Sequence, residues 1–167
     1  MTYRYLIALG SNQPHHRHGS PRKVLVAALQ QLSRKPVTLL SAAPIIESAP
    51  LGPSRRRYAN SAALVKTRLS PEQLLGQLQH IEDTFGRRRS GQSWGPRVLD
   101  LDIVLWSEGA FASPDLIIPH PEFRSRSFVL TPALALAPGW RDPITGLKLR
   151  HLHFRLTRRL TTPHRLP

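Results

Sequence analysis

The order of apolar patterns along 167 residues predicts an α+β fold with a mainly antiparallel sheet, and three observations carry that expectation. Strand-like alternation recurs around Leu6, Val65 and Leu101. Two helical stripes separate these segments, each opening on a serine followed by proline, Ser20-Pro21 and Ser70-Pro71. Stretches such as "APLGPSRRR" interrupt the chain where proline and glycine cannot continue a ladder.

The first strand is "YRYLIALG", alternating to Gly10. A helix follows from near Ser20, with Val24, Leu25, Ala28, Leu29 and Leu32 on one side. "PVTLLSAAPIIES" reads as extended, and "YANSAALVKTRL" as the next strand, with Ala63, Val65 and Thr67 opposite Leu64, Lys66 and Arg68. The second helix starts at Ser70, where Gln73 can close a capping box, and its stripe of Leu74, Leu75, Leu78 and Ile81 stops at Gly86. A basic loop, "GRRRSGQSWGPR", leads into the strand "VLDLDIVLW". Beyond "SPDLIIPHPEF", the segment "RSRSFVLTPALALAP" reads as a short helix cut by Pro132. "WRDPITGLKL" reads as a small hairpin around Pro143 to Gly146, and the remainder as a basic, partly helical tail. The order β-α-β-β-α-β is the ferredoxin-like split βαβ arrangement, here with a C-terminal hairpin and helix added. It places helices on one face of the sheet and leaves the other for loops and ligands. Residues 1–167 fit one domain.

The net charge of +14 suggests a polyanionic partner such as a nucleotide or nucleic acid, unless it reflects a general bias toward arginine on solvated faces. Only Lys23, Lys35, Lys66 and Lys148 are lysines, and arginine's planar fork suits bidentate phosphate contact better. The absence of cysteine excludes disulfides and thiolate metal sites. With no apolar run of membrane-spanning length and no basic leader, the expectation is a cytoplasmic protein without a membrane partner.

Asp100 and Asp102 are the chemically informative pair. Strand alternation puts both on one face, roughly 7 Å apart at Cα, with Leu99, Leu101 and Ile103 on the other. Two such carboxylates suit a hard divalent cation, or two cations clamping a phosphoryl group; the alternative is a merely solvated strand face. Arg87, Arg88, Arg89 and Arg97 lie close by in the chain, supplying cations for phosphate oxygens or an ordinary ion-pair cluster. Trp94 is either a lid over a flat ring or a core aromatic. There is no Walker A string and no GxGxxG after a strand. His120, between prolines, is a candidate phosphate contact or a structural hydrogen-bonding group, whereas His15, His16 and His18 read as solvated.

Taken together, "ALGSN", "SAPLG" with "YANSA", "IED" with "GRRR", "WGPRVLDLDIVLW" and "IPHPEFRSRSFVLTP" resemble the 6-hydroxymethyl-7,8-dihydropterin pyrophosphokinases of folate synthesis, over about residues 4 to 138. The resemblance implies ATP as co-substrate and two Mg²⁺ ions on Asp100 and Asp102, with Arg87 and Arg97 stabilising charge in flight and Arg89 as a further loop contact. It implies nucleotide contacts from Gln79, Glu82, Ile103, His120 and Arg126. It also implies pterin contacts from Asn60 and from backbone near Ser48 and Leu51, stacking between Tyr58 and Phe128, and Trp94 as lid. The implied partners are small molecules, with no nucleic acid, and the implied state is a monomer. Ser93, Pro121 and the triplet Arg55 to Arg57 depart from the family pattern. Two rival readings are a basic RNA-binding module of the same fold and a two-metal phosphohydrolase.

Overall fold

A computed structural model describes residues 1–48, 58–86 and 97–161, with the side chains of Ser48 and of 159–161 outside the description. Strand β1 (Tyr3–Ser11) leads to helix α1 (Pro21–Leu32), strands β2 (Val37–Ala42), β3 (Ile46–Ser48) and β4 (Tyr58–Thr67), and helix α2 (Pro71–Thr84). Strand β5 (Asp100–Trp106) is followed by a short hairpin of β6 (Phe111–Ser113) and β7 (Leu116–Ile118), a 3₁₀ turn (Phe123–Ser125), helix α3 (Ser127–Leu136) and helix α4 (Leu149–Thr161). The main sheet has the order β2-β4-β1-β5, with β3 continuing the pairing along β4, and these pairings are antiparallel. This is the split βαβ arrangement expected from the sequence.

Both early helices start as their residues dictate. Ser20 accepts the backbone N–H of Lys23, and Ser70 and Gln73 form the reciprocal capping box. At the end of α2 the chain turns through Gly86 at φ +79°, a left-handed geometry that glycine adopts without a Cβ penalty. The α1–α2 face of the sheet holds the larger core, where Tyr5, Ile7, Leu9, Leu101 and Ile103 meet Val24, Leu25, Leu74 and Leu78.

The opposite face departs from expectation. Helices α3 and α4 cover half of it, bringing Leu130, Ala133, Leu149 and Leu152 onto Leu6, Ala62, Val104 and Leu105. The tail therefore contributes a full helix whose leucines complete a second core. Pro132 does not cut α3, which runs through it. Proline forfeits one backbone hydrogen bond there. Pro132, Leu130 and Ala133 are buried, and this burial offsets the loss. A buried clasp ties the added elements together: Arg124 donates two hydrogen bonds of 2.7 Å to the fully buried Asp142, which also accepts from Thr145 and the Ile144 N–H.

Candidate functional site

The half of this second face left uncovered is built from three strands in register. Asn60 on β4 lies opposite Gly10 on β1, which lies opposite Asp100 on β5; one step along, Ala62, Ala8 and Asp102 form a parallel row. Paired residues in an antiparallel ladder share a face, so Asn60 and Asp100 flank Gly10 at the open end, while Asp102 lies beside Ala8 where the row runs under the second core at Ala62. The floor is low because of Gly10. A Cβ there would stand 3.3 Å from Asn60 Oδ1, against the side chain that rims the trough.

Strand β5 changes use partway along its length. Between Leu6 and Ile7 of β1 the register shifts so that Leu6 faces Leu105 while Ile7 faces Ile103, leaving Val104 as an extra residue. The bulge puts Leu105 into the second core on the face that presents Asp100 and Asp102 one turn of pleat earlier.

Three contacts fix the acids. Glu82, reaching from α2 and only 3% exposed, accepts the N–H of Leu101 at 2.7 Å, the residue between the two aspartates. Arg97 donates to Asp100 Oδ2 at 2.8 Å. Asn12, just past β1, grips Arg97 through both backbone groups: its Oδ1 accepts Arg97 N–H at 2.7 Å and its own N–H donates to Arg97 O at 3.0 Å. The sequence reading gives Asn12 no role, although it closes the quoted "ALGSN"; nothing in a single sequence shows that an asparagine after a strand will reach 85 residues ahead.

His120 stands beside the pair, with Nε2 3.9 Å from Asp102 Oδ2. Its N–H donates to Val104 O, and its Nδ1 accepts the Glu122 N–H, which leaves the ring proton on Nε2, toward Asp102. Burial, reinforced by the Arg126 guanidinium, holds the imidazole below its usual range against the opposing pull of Asp100. Arg126 pairs with Glu122 and lies 5.8 Å over the Phe128 ring. Helix α3 begins here with no side-chain cap and no acidic residue in its first turn. Its far end lines a cleft with Arg4, Leu64 and Ser107, so its N-terminus points to the aspartate end of the face. Uncapped N–H groups and the helix dipole at that point favour an anion.

The structure thus brings together Arg97, Asp100, Asp102, His120 and Arg126, with Asn60 across the trough and Phe128 at the start of α3. Tyr58 heads β4, opposite Ser48, on the strand against which α3 packs. Three candidates sit differently from a simple lining. Ile103 has its side chain in the α1–α2 core, so only its main chain is available to a ligand. Glu82 is turned inward onto β5. Gln79 is half-buried on α2, whose stripe packs on the other face of the sheet. Leu51, Arg87, Arg89 and Trp94, together with Ser93 and Arg55 to Arg57, lie outside the described residues. Of the histidines read as solvated, His16 is exposed, whereas His15 and His18 pack on Phe85 with ring centroids 5.9 and 5.0 Å away.

Among the described residues no cluster of three or more His, Cys, Asp or Glu side chains is arranged to hold a metal ion. Two carboxylates without further protein ligands match the needs of Mg²⁺, which keeps waters and shares substrate phosphates. Fold and site together define a class: a split βαβ sheet bearing a carboxylate pair, guanidinium groups and a helix N-terminus suited to a metal-bound phosphate chain. A profile of the 7,8-dihydro-6-hydroxymethylpterin-pyrophosphokinases matches residues 6–138, and the chain belongs to that family. It is 43% identical over 145 residues to the 2-amino-4-hydroxy-6-hydroxymethyldihydropteridine pyrophosphokinase of Pseudomonas aeruginosa, covering 86% of each chain. It is 40% identical over 133 residues to the enzyme of that name from Haemophilus influenzae, covering 78% of this chain and 79% of that one. Among solved structures, wild-type Plasmodium falciparum HPPK-DHPS superposes with a TM-score of 0.75 at 12% identity, over 99% of this chain but only 47% of that one. That likeness speaks to the fold alone, and the chain spans less than half of that protein.

Proposed function

We propose that this protein transfers pyrophosphate from ATP to the hydroxymethyl group of 6-hydroxymethyl-7,8-dihydropterin, giving the pterin diphosphate and AMP. In that reaction the alcohol oxygen bonds to the β-phosphorus, the bond between that phosphorus and the oxygen bridging to the α-phosphate breaks, and AMP departs with the oxygen while the alcohol proton is released. Family membership and the names of the bacterial relatives support the reading, and one observation carries it here. Asp100 and Asp102 share the open end of a sheet face with Arg97 bonded to one and His120 beside the other.

Asp100 and Asp102 would hold Mg²⁺, which supplies Lewis-acid polarisation of phosphoryl oxygens when bound. The chain's own residues do the rest by positioning. Glu82 and Asn12 fix the backbone on either side of Asp100, so the carboxylates and Arg97 hold their geometry before substrate arrives. His120, uncharged near neutrality, offers its Nε2–H as a hydrogen-bond donor without adding a competing charge. Asn60 over Gly10, with Tyr58 and Phe128 nearby on their elements, forms the region assigned to the pterin.

The deciding assay is AMP release that depends on the pterin alcohol. Pterin-dependent AMP together with a pterin diphosphate supports the assignment. Release of free phosphate or pyrophosphate with no pterin diphosphate replaces it with a phosphohydrolase.

A further inference from the structure

Helix α4 carries more charge than its packing requires. Leu149, Leu152 and Leu156 turn to the second core, while Arg150, His151, Phe154, Arg155 and Arg158 are exposed on the outer side. Arg150 and Phe154 stand one turn apart, as do His151 and Arg155, about 6 Å along the axis, so the four form one band. Phe154 is 62% exposed in the middle of it. The segment itself carries one sign of charge: residues 143–167 contain six Lys and Arg and no Asp or Glu. The carboxylates on the segments next to α4 are engaged elsewhere, Asp142 with Arg124 and Glu122 with Arg126.

We propose that the outer face of α4 binds single-stranded nucleic acid, in addition to the reaction proposed at Asp100 and Asp102. An aromatic plane set among guanidinium groups combines base stacking with backbone neutralisation, the two components of sequence-tolerant single-strand binding. A membrane surface fits less well, because an interfacial helix inserts its apolar face and here that face is packed in the core. An acidic protein would use the arginines but gives no role to an exposed phenylalanine. The surface is independent of the catalytic assignment and extends the chain's partners beyond the small molecules its family implies.

The test is fluorescence anisotropy of labelled oligo-dT and oligo-U with the full chain, with and without saturating ATP, Mg²⁺ and pterin. Binding is expected to survive those ligands and to weaken steeply with added salt. The Arg150→Gln/Arg155→Gln variant is expected to bind about tenfold more weakly with a shallower salt slope, and Phe154→Ser about fivefold more weakly. All these positions are solvent-facing, so circular dichroism and AMP formation should match the parent and certify folding. Displacement of the oligonucleotide by ATP, affinity unchanged in both variants, or no binding overturns the proposal. Tighter capture by phosphatidylserine vesicles than by either oligonucleotide overturns it in favour of a membrane surface.

Discussion

At the residue scale, the contacts around β5 separate groups proposed to face the phosphates from groups that hold those groups still. Asp100→Asn or Asp102→Asn should lower turnover by about a hundredfold or more, as the loss of a preorganised electrostatic contact does, when AMP release is followed at saturating Mg²⁺. Near-parental turnover in both variants would remove the aspartates from the mechanism. Glu82→Ala acts differently: it strands the buried Leu101 N–H, costing about 1–3 kcal/mol of stability. Glu82→Gln keeps an acceptor and should restore most of that loss in a urea melt. Gly10→Ala places a methyl group 3.3 Å from Asn60 Oδ1, so KM for the pterin should rise while the melting temperature moves little. These distinctions were only partly open to sequence reading. That Asp100 and Asp102 share a face follows from strand alternation, but Asn12 and Glu82 act through backbone groups far along the chain, and such contacts leave no local pattern.

At the scale of elements, caps and turns were legible because their chemistry is local. Ser20, Ser70 with Gln73, and Gly86 each mark their boundary as expected. The local pattern around Pro132 predicts a break, yet α3 runs through it, because burial from a distant part of the chain outweighs the local penalty. The covering of the second face was also hidden, since the tail's Leu149, Leu152 and Leu156 reveal their role only once Leu6 and Leu105 are known to need a partner. The clasp that anchors this cover is testable. Burial pushes the Asp142 carboxyl up, but hydrogen bonds from Arg124, Thr145 and the Ile144 N–H outweigh it and hold it below its ordinary range. A carboxyl lowered on folding adds stability that is complete above its unfolded-state pKa and disappears as pH falls through the folded one. Asp142→Asn should therefore cost about 2 kcal/mol near neutral pH, with the difference from the parent shrinking in acid denaturation series.

For the molecule as a whole, His120 adds a pH response of the same sign as that of Asp142, placed in the window of an imidazole instead of a carboxyl. Its imidazole is held below the usual range, so protonation favours the unfolded chain; its contribution is present above the unfolded pKa and is lost as pH drops from there toward the folded value. His120→Gln should flatten stability across that mildly acidic window, read as melting temperature against pH. His15, lowered by burial first and then by its neighbours, acts in the same sense and would remain in that variant. The trough itself has a further consequence. Gly10 and Ala8 alternate along β1 with Leu9 and Ile7, and Asp100 and Asp102 along β5 with Leu101 and Ile103, all four of which are core on the reverse side. A surface backed so directly by the interior cannot yield to a guest without loosening the entire fold. Occupancy should consequently raise the global unfolding free energy by the full mass-action amount, RT ln(1 + [L]/Kd), with a matching rise in melting point, and slow deuterium uptake at Leu9 and Leu101 to the same degree as at the deepest amides.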